Sequence, residues 1–309
     1  MFLNYFLNIF KKIKKLFFAI AKPSKIAKHS KLSQLCKLNT KLSHIKQTTK
    51  STRFFLHKTL FSYLEDKAIS TYTNLDFYSL LNSLLNKGLK QSSIKQIISY
   101  ASSAFNLAID LNIISQNPTT KTIKKLKPSI QNNKKTFKLS QIKSLLLTSA
   151  SELQTFLYFA FFTGARAGEI LALTNSSINY KQNYILITLN KTRYGISTPK
   201  NNQSRKIYMP ELLKEHLQKI KFKSFTQSYH SIYYSFKKLL KKHNIKQKSL
   251  HSTRHTYASL LTNKNVNLPL IAKLLGHKDI SMLSKVYSHN IYSRAEQQKL
   301  KKIFNLRKF

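Results

Sequence analysis

The chain is poor in the residues from which disulfide scaffolds and nucleotide-cofactor sites are built. It holds one cysteine, Cys36, so it forms no internal disulfide and no cysteine-based zinc cluster. A lone cysteine makes a reducing, cytoplasmic setting the expectation. The five glycines, Gly88, Gly164, Gly168, Gly195 and Gly276, never place three within six residues. That spacing excludes a dinucleotide fingerprint, and no Gly-Lys-Ser/Thr is present for a nucleotide P-loop. Acidic residues number only ten.

Positive charge is abundant. Among 309 residues, 54 lysines and arginines leave a formal net charge of +44. A single-sign excess of this size strains a lone compact chain by self-repulsion and asks for a polyanionic partner. Hydrophobic residues make up 42% of the chain and aromatics 12%, so this is no disordered basic tail. The length suffices for two domains with cores of their own. Only seven of the basic residues are arginines: 53, 166, 193, 205, 254, 294 and 307. With abundant Asn, Ile, Phe, Tyr and Ser, the lysine excess looks like drift in an A/T-rich genome, and a single surface lysine carries little information. The retained arginines gain weight, because bidentate phosphate recognition needs a planar fork that lysine lacks.

Residues 1–45 read as a basic N-terminal extension. Lys11, Lys12, Lys14 and Lys15 cut its apolar run short of the ~20 residues a membrane span needs, so no stable membrane association is expected. The order of charge and apolarity is not that of a signal peptide. Residues 23–50 carry weak periodicity and read as a flexible basic arm. Residues 46–118 read as a helical unit. Thr73 with Asp76 three residues on makes a capping box, and Gly88 stops that helix. A second helix is predicted from Ser92 or Ser93, with Ile94, Ile97, Ile98, Ala101, Phe105 and Ala108 on one face and Asn117-Pro118 at its end. Residues 119–136 lack a core pattern and read as a basic linker.

Residues 137–309 form the second expected domain, mainly α with a small antiparallel β-sheet. Ser140 and Ser151 cap helices, the second ending at Thr163-Gly164, and a short helix follows over Ala167–Leu173. Strands are predicted at Tyr184–Leu189 and Arg205–Met209. Helices are predicted at 211–220, 228–243, 252–262, 268–275 and 281–288.

Four segments carry the chemistry: TGARAGEIL (163–171), TPKNNQSRKIYMP (198–210), HSTRHTYASLL (251–261) and LLGHKDISMLSKVYSHN (274–290). Each is weak alone. His251 and His255 stand four apart on a helix, but no Glu follows the first His and no third ligand is evident, so a zinc site is not expected. Taken together, Arg166, Lys200, His251, Arg254, His277 and Tyr287 stand in an order and in local contexts that resemble the tyrosine recombinase (phage integrase) family. The family's recurring words are Thr-Gly-x-Arg-x-x-Glu, a β-hairpin lysine, His-x-x-Arg-His, Leu-Gly-His, and a tyrosine followed by x-His. The helical unit also resembles the family's core-binding domain, through its Gly-Leu-x-x-x-(Ser/Thr)-Ile … Ile-x-x-Asn-Pro pattern over 88–118.

The resemblance implies a helical core-binding domain ahead of an α+β catalytic domain. It implies a site-specific DNA recombinase that cleaves and rejoins strands through a 3′-phosphotyrosyl intermediate. Tyr287 would be the nucleophile. Arg166 and Arg254 would clamp the non-bridging oxygens of the phosphorane. His251 would act as base, His277 would donate to a phosphate oxygen, and Lys200 would protonate the departing 5′ oxygen. Lys191 and Lys206 compete for that last role. Glu169 would orient a guanidinium or a neighbouring basic side chain, or it is a carboxylate on the helix surface. No metal and no cofactor are implied, and the partners would be double-stranded DNA and three further protomers in a homotetramer on two DNA sites. The C-terminal segment ends in an amphipathic stretch (Leu300, Ile303, Phe304) suited to docking in cis or on a neighbouring protomer. A type IB topoisomerase-like enzyme and a non-enzymatic basic DNA-binding protein are the alternatives.

Overall fold

The computed structural model describes residues 29–43, 45–126, 136–149, 151–199 and 204–276. The chain divides into two units, residues 1–131 and 132–309, each with its own hydrophobic core.

The first unit is helical: α1 (Leu32–Leu42), α2 (Gln47–Phe61), α3 (Asn74–Asn86), α4 (Gln91–Asp110) and α5 (Thr120–Lys125). Helix α4 is its axis. Ile94, Ile97, Ile98, Ala101, Ala104, Phe105 and Ala108 are all buried at helical spacing, and each of the other four helices packs on it. The Phe77 and Phe105 rings meet edge to face at 5.5 Å between centroids. Helix α3 starts as expected: the Thr73 amide donates to Asp76 Oδ2 at 2.7 Å, and Gly88 takes φ +74° just past its end.

Three expectations need correction here. The flexible arm is ordered from residue 31 on, because Leu32, Leu35 and Cys36 sit at i, i+3 and i+4 and are buried in this core. That stripe of three is diluted by lysines and leaves little trace in the periodicity. The basic linker likewise begins as helix α5, with Thr122 and Leu126 buried. Its start is held by Asn117, whose Oδ1 accepts from the Thr119 amide at 3.0 Å. Finally, α4 ends at Asp110 and not at Asn117-Pro118. Asn112 takes a left-handed φ of 57°, and Asn117 braces the helix from outside through Nδ2 to Asn106 Oδ1 at 2.6 Å.

The second unit runs α6 (Leu139–Thr148), α7 (Ser151–Thr163), α8 (Ala167–Ile170), β1 (Ile178–Asn179), β2 (Tyr184–Ile187), β3 (Asn190–Thr192), β4 (Gly195–Ser197), β5 (Arg205–Tyr208), α9 (Glu211–Lys219), α10 (Tyr229–Lys242), α11 (His251–Asn263) and α12 (Leu268–Leu275). Helix α7 is apolar nearly all round, with Phe156, Leu157, Phe159 and Ala160 almost wholly buried, and α6, α9, α10 and α11 pack about it. One antiparallel sheet has the order β1-β2-β5, with Ile185 opposite Ile207 and Ile187 opposite Arg205. A second, two-stranded sheet is the hairpin β3–β4, closed by Arg193-Tyr194. The expected strand over Tyr184–Leu189 stops at Ile187 because the next residues leave to form this hairpin, whose short polar strands carry no alternation. The expected helix over 281–288 lies outside the described residues.

Candidate active site

The site starts at the sharp turn between α7 and α8. Thr163 Oγ1 donates to the Phe159 carbonyl at 2.6 Å and accepts from the Ala165 amide at 3.1 Å. Gly164 then takes φ +61°, and a Cβ there would stand 2.5 Å from the Tyr257 ring of α11. Only glycine lets the turn press onto α11 in this way. The turn delivers Arg166 to the start of α8, with Glu169 one turn later.

Glu169 is 1% exposed and serves as a hub. Its carboxylate accepts from the Arg166 amide at 2.9 Å, from Arg166 Nη1 at 2.9 Å, and from Arg205 Nη1 and Nη2 at 3.2 and 2.6 Å. The expectation of a carboxylate orienting a guanidinium describes this geometry; a surface carboxylate does not. Burial by itself would raise the Glu169 carboxyl. The hydrogen bond and charge of Arg205, joined by those of Arg166, outweigh burial and hold it below its ordinary range.

Arg254 enters from α11 and is 3% exposed. Its Nη1 donates to the Gly164 carbonyl at 2.8 Å and its Nη2 to the Leu275 carbonyl at 2.6 Å. Burial pulls this guanidinium down to about 9, and the nearby Arg166 and Arg205 charges push the same way. It still holds its proton at neutral pH.

The C-terminal end of α12 collects all three guanidiniums. Arg205 Nε donates to the Leu274 carbonyl at 3.0 Å, Arg254 Nη2 to that of Leu275, and Arg166 Nη2 to that of Gly276 at 3.3 Å. These are carbonyls that a helix leaves unpaired, at the negative end of its dipole. Gly276 caps the helix in the left-handed region at φ 65°. Three cations face one carboxylate among the described residues, so the site keeps an excess of positive charge. Arg166 is the most open of the three, its side chain 24% exposed against 9% for Arg205.

The structure thus joins Arg166, Glu169 and Arg254 into one cluster. His251 stands exposed at the first turn of α11, its ring edge-on to His255 at 4.8 Å. Lys200, His277 and Tyr287 lie outside the described residues. Of the competitors for the lysine role, Lys206 holds its ammonium 4.4 Å over the Tyr184 ring. Lys191 lies on β3, which packs against Gly168 of α8; a Cβ there would meet the Asn190 side chain and stand 2.7 Å from the Lys191 carbonyl oxygen.

Sequence reasoning assigned no role to Arg205. The available signal was its survival as one of seven arginines beside 47 lysines.

Residues 135–294 match the phage integrase family. A XerC-like tyrosine recombinase of Caldanaerobacter subterraneus subsp. tengcongensis is 24% identical over 270 residues, covering 72% of this chain and 68% of the relative. Among solved structures, the Tn1549 transposon integrase in complex with a circular intermediate DNA matches with a TM-score of 0.72 at 22% identity, over 86% of this chain and 98% of that one. A lambda integrase tetramer bound to a Holliday junction matches with a TM-score of 0.65 at 20% identity, over 81% of this chain and 78% of that one.

Proposed function

The chain belongs to the phage integrase family and is a site-specific DNA recombinase, a strand-transferring enzyme; on that premise we propose that it cuts and rejoins DNA through a 3′-phosphotyrosyl bond made by Tyr287. The Tyr287 phenol oxygen attacks the scissile phosphorus and the bond to the 5′ oxygen breaks. The energy of the cut bond stays in the phosphotyrosine, and an incoming 5′-hydroxyl reverses the step. Arg166 and Arg254 hold the non-bridging oxygens of the pentacoordinate phosphorane by charge-assisted bonds. His251 takes the phenol proton, His277 donates to a phosphate oxygen, and Lys200 gives a proton to the departing 5′ oxygen. Glu169 fixes Arg166.

One observation supports this reading above the rest. Arg166 and Arg254, brought from different elements, bind the adjacent carbonyls of Gly276 and Leu275 within one positively charged cluster. Two planar forks anchored side by side suit a tetrahedral or trigonal-bipyramidal phosphate. A non-enzymatic DNA-binding protein has no use for such a buried cluster, and the helical unit ahead of the catalytic one disfavours a topoisomerase.

Duplex DNA is the proposed partner, gripped by four protomers on two sites in the cytoplasm. No helix of the described residues is long and apolar enough to cross a membrane. Integration and excision of a mobile element, or resolution of joined chromosomes, are the outcomes this chemistry serves.

The test is covalent capture on a nicked duplex that loses its 5′-hydroxyl fragment after cleavage. The wild-type protein should become linked to the 3′ end, with the link mapped by mass spectrometry to Tyr287. Tyr287→Phe should bind the same DNA and form no adduct. An adduct that persists in the Phe variant, or maps to another residue, would sink the assignment.

A further inference from the structure

Arg205 opens strand β5, opposite Ile187, and sends its side chain into the arginine cluster. Its fork meets both oxygens of Glu169, at 3.2 and 2.6 Å, while its Nε reaches the Leu274 carbonyl at 3.0 Å. It therefore ties together the two elements that hold Arg166. One is α8, through the carboxylate that also takes Arg166 Nη1. The other is the end of α12, whose Gly276 carbonyl takes Arg166 Nη2. Gly276 is built around this contact: a Cβ there would stand 3.2 Å from Arg205 Nη1 and 3.3 Å from its Cδ.

We propose that Arg205 is a positioning residue for strand cleavage, setting the Arg166 guanidinium through Glu169 and the end of α12 while making no contact with the scissile phosphate itself. The inference rests on the recombinase reading above. All three nitrogens of its guanidinium group, Nε, Nη1 and Nη2, are engaged inside the protein, by the Leu274 carbonyl and both carboxylate oxygens of Glu169. A lysine cannot replace it. One ammonium on a flexible stem does not reach two carboxylate oxygens and a carbonyl in a fixed planar arrangement. That geometric demand accounts for an arginine here in a chain where 47 of 54 basic residues are lysines.

The test compares wild type, Arg205→Lys and Arg205→Ala on two nicked substrates. One carries the ordinary scissile phosphodiester. The other carries a methylphosphonate at that position, which removes the charge of one non-bridging oxygen. Positioned guanidiniums matter most where charge develops, so a misplaced Arg166 should be felt on the first substrate and far less on the second. A shift of about 1 Å in a catalytic group costs on the order of 10²-fold, so both variants should form adduct roughly 10–100-fold more slowly on the phosphodiester. On the methylphosphonate they should come within about threefold of wild type, because less charge remains to be held. DNA affinity of Arg205→Lys should stay near wild type, and its thermal unfolding midpoint should fall less than that of Arg205→Ala, because the lysine keeps a positive charge beside Glu169. Equal slowing on both substrates, or undiminished cleavage by Arg205→Ala, would overturn the proposal. So would unfolding of both variants, since Arg205 would then be a structural residue only. A wild-type protein that forms no adduct on the phosphodiester would bring down the recombinase reading, and this proposal with it. That outcome is distinct from any defect confined to the variants.

Discussion

Arg254 and Leu275 meet at 2.6 Å, guanidinium to carbonyl, where the family's His-x-x-Arg helix crosses the end of α12. The same guanidinium holds the Gly164 carbonyl at 2.8 Å. A residue expected to grip DNA is thus also the bolt between the turn that carries Arg166 and the helix that leads to His277. Burying a charge demands partners of this kind, because an unpaired guanidinium at 3% exposure would be prohibitively destabilising.

Glu169 makes the acid-sensitive contact of this cluster. Its folded carboxyl is held below the ordinary range, so its stabilising contribution is full above the unfolded value of about 4.3. The contribution is lost as pH falls through the lower, folded value. Glu169→Gln should destabilise the second unit by about 3 kcal/mol near neutral pH, the cost of breaking a buried pair. Denaturant titrations at several pH values should show the gap between wild type and variant narrowing below about pH 4. A gap independent of pH would mean that the carboxylate charge contributes nothing.

Gly168 permits the β3–β4 hairpin to lie against α8. Gly168→Ala would drive a methyl into the Asn190 side chain and the Lys191 carbonyl oxygen. Overpacking of this sort costs about 1–3 kcal/mol. Cleavage should fall more than DNA binding, because the hairpin leads toward Lys200. Adding Asn190→Ala should restore only part of the loss, since the backbone contact at Lys191 remains. Full recovery in the double variant would show the backbone contact to be without effect.

Lys200 is the proposed acid, and its role is separable from charge clamping. Lys200→Ala should slow adduct formation by roughly 10²–10⁴-fold. Replacing the bridging 5′ oxygen with sulfur makes a leaving group that needs no proton, so the variant should then approach wild type. Arg166→Ala and Arg254→Ala should stay impaired on the sulfur substrate, because the charge they offset lies on the non-bridging oxygens. A persistent defect of Lys200→Ala with sulfur would move the acid to another residue, and Lys191 and Lys206 variants would identify it.

The charge of +44 should be visible in binding itself. If the protein neutralises even ~6 phosphates, affinity should fall on the order of a thousandfold between about 50 and 200 mM salt. Gel-shift titrations over that range measure the slope. A flat response would assign the lysines to genomic composition alone.

The sequence by itself determined the helical unit's axis, the capping box at Thr73 and the helix–strand order after Phe137, and it raised the expectation that Arg166, Glu169 and Arg254 share one site. Those features are written in local spacing or in ordered words, and local spacing survives in a single chain. Tertiary structure decided the rest. Helix α1 buries three side chains and helix α5 one, too few to show as periodicity, and they are ordered because α2 and α4 offer α1 a surface to cover and α3 and α4 offer one to α5. The hairpin β3–β4 owes its place to a glycine on another element. Arg205 had no local signature, because its importance lies in reaching Glu169 and Leu274, 36 and 69 residues away along the chain. A buried carboxylate needs counter-charges and a helix end needs donors; which arginines supply them is a matter of what the fold brings within 3 Å.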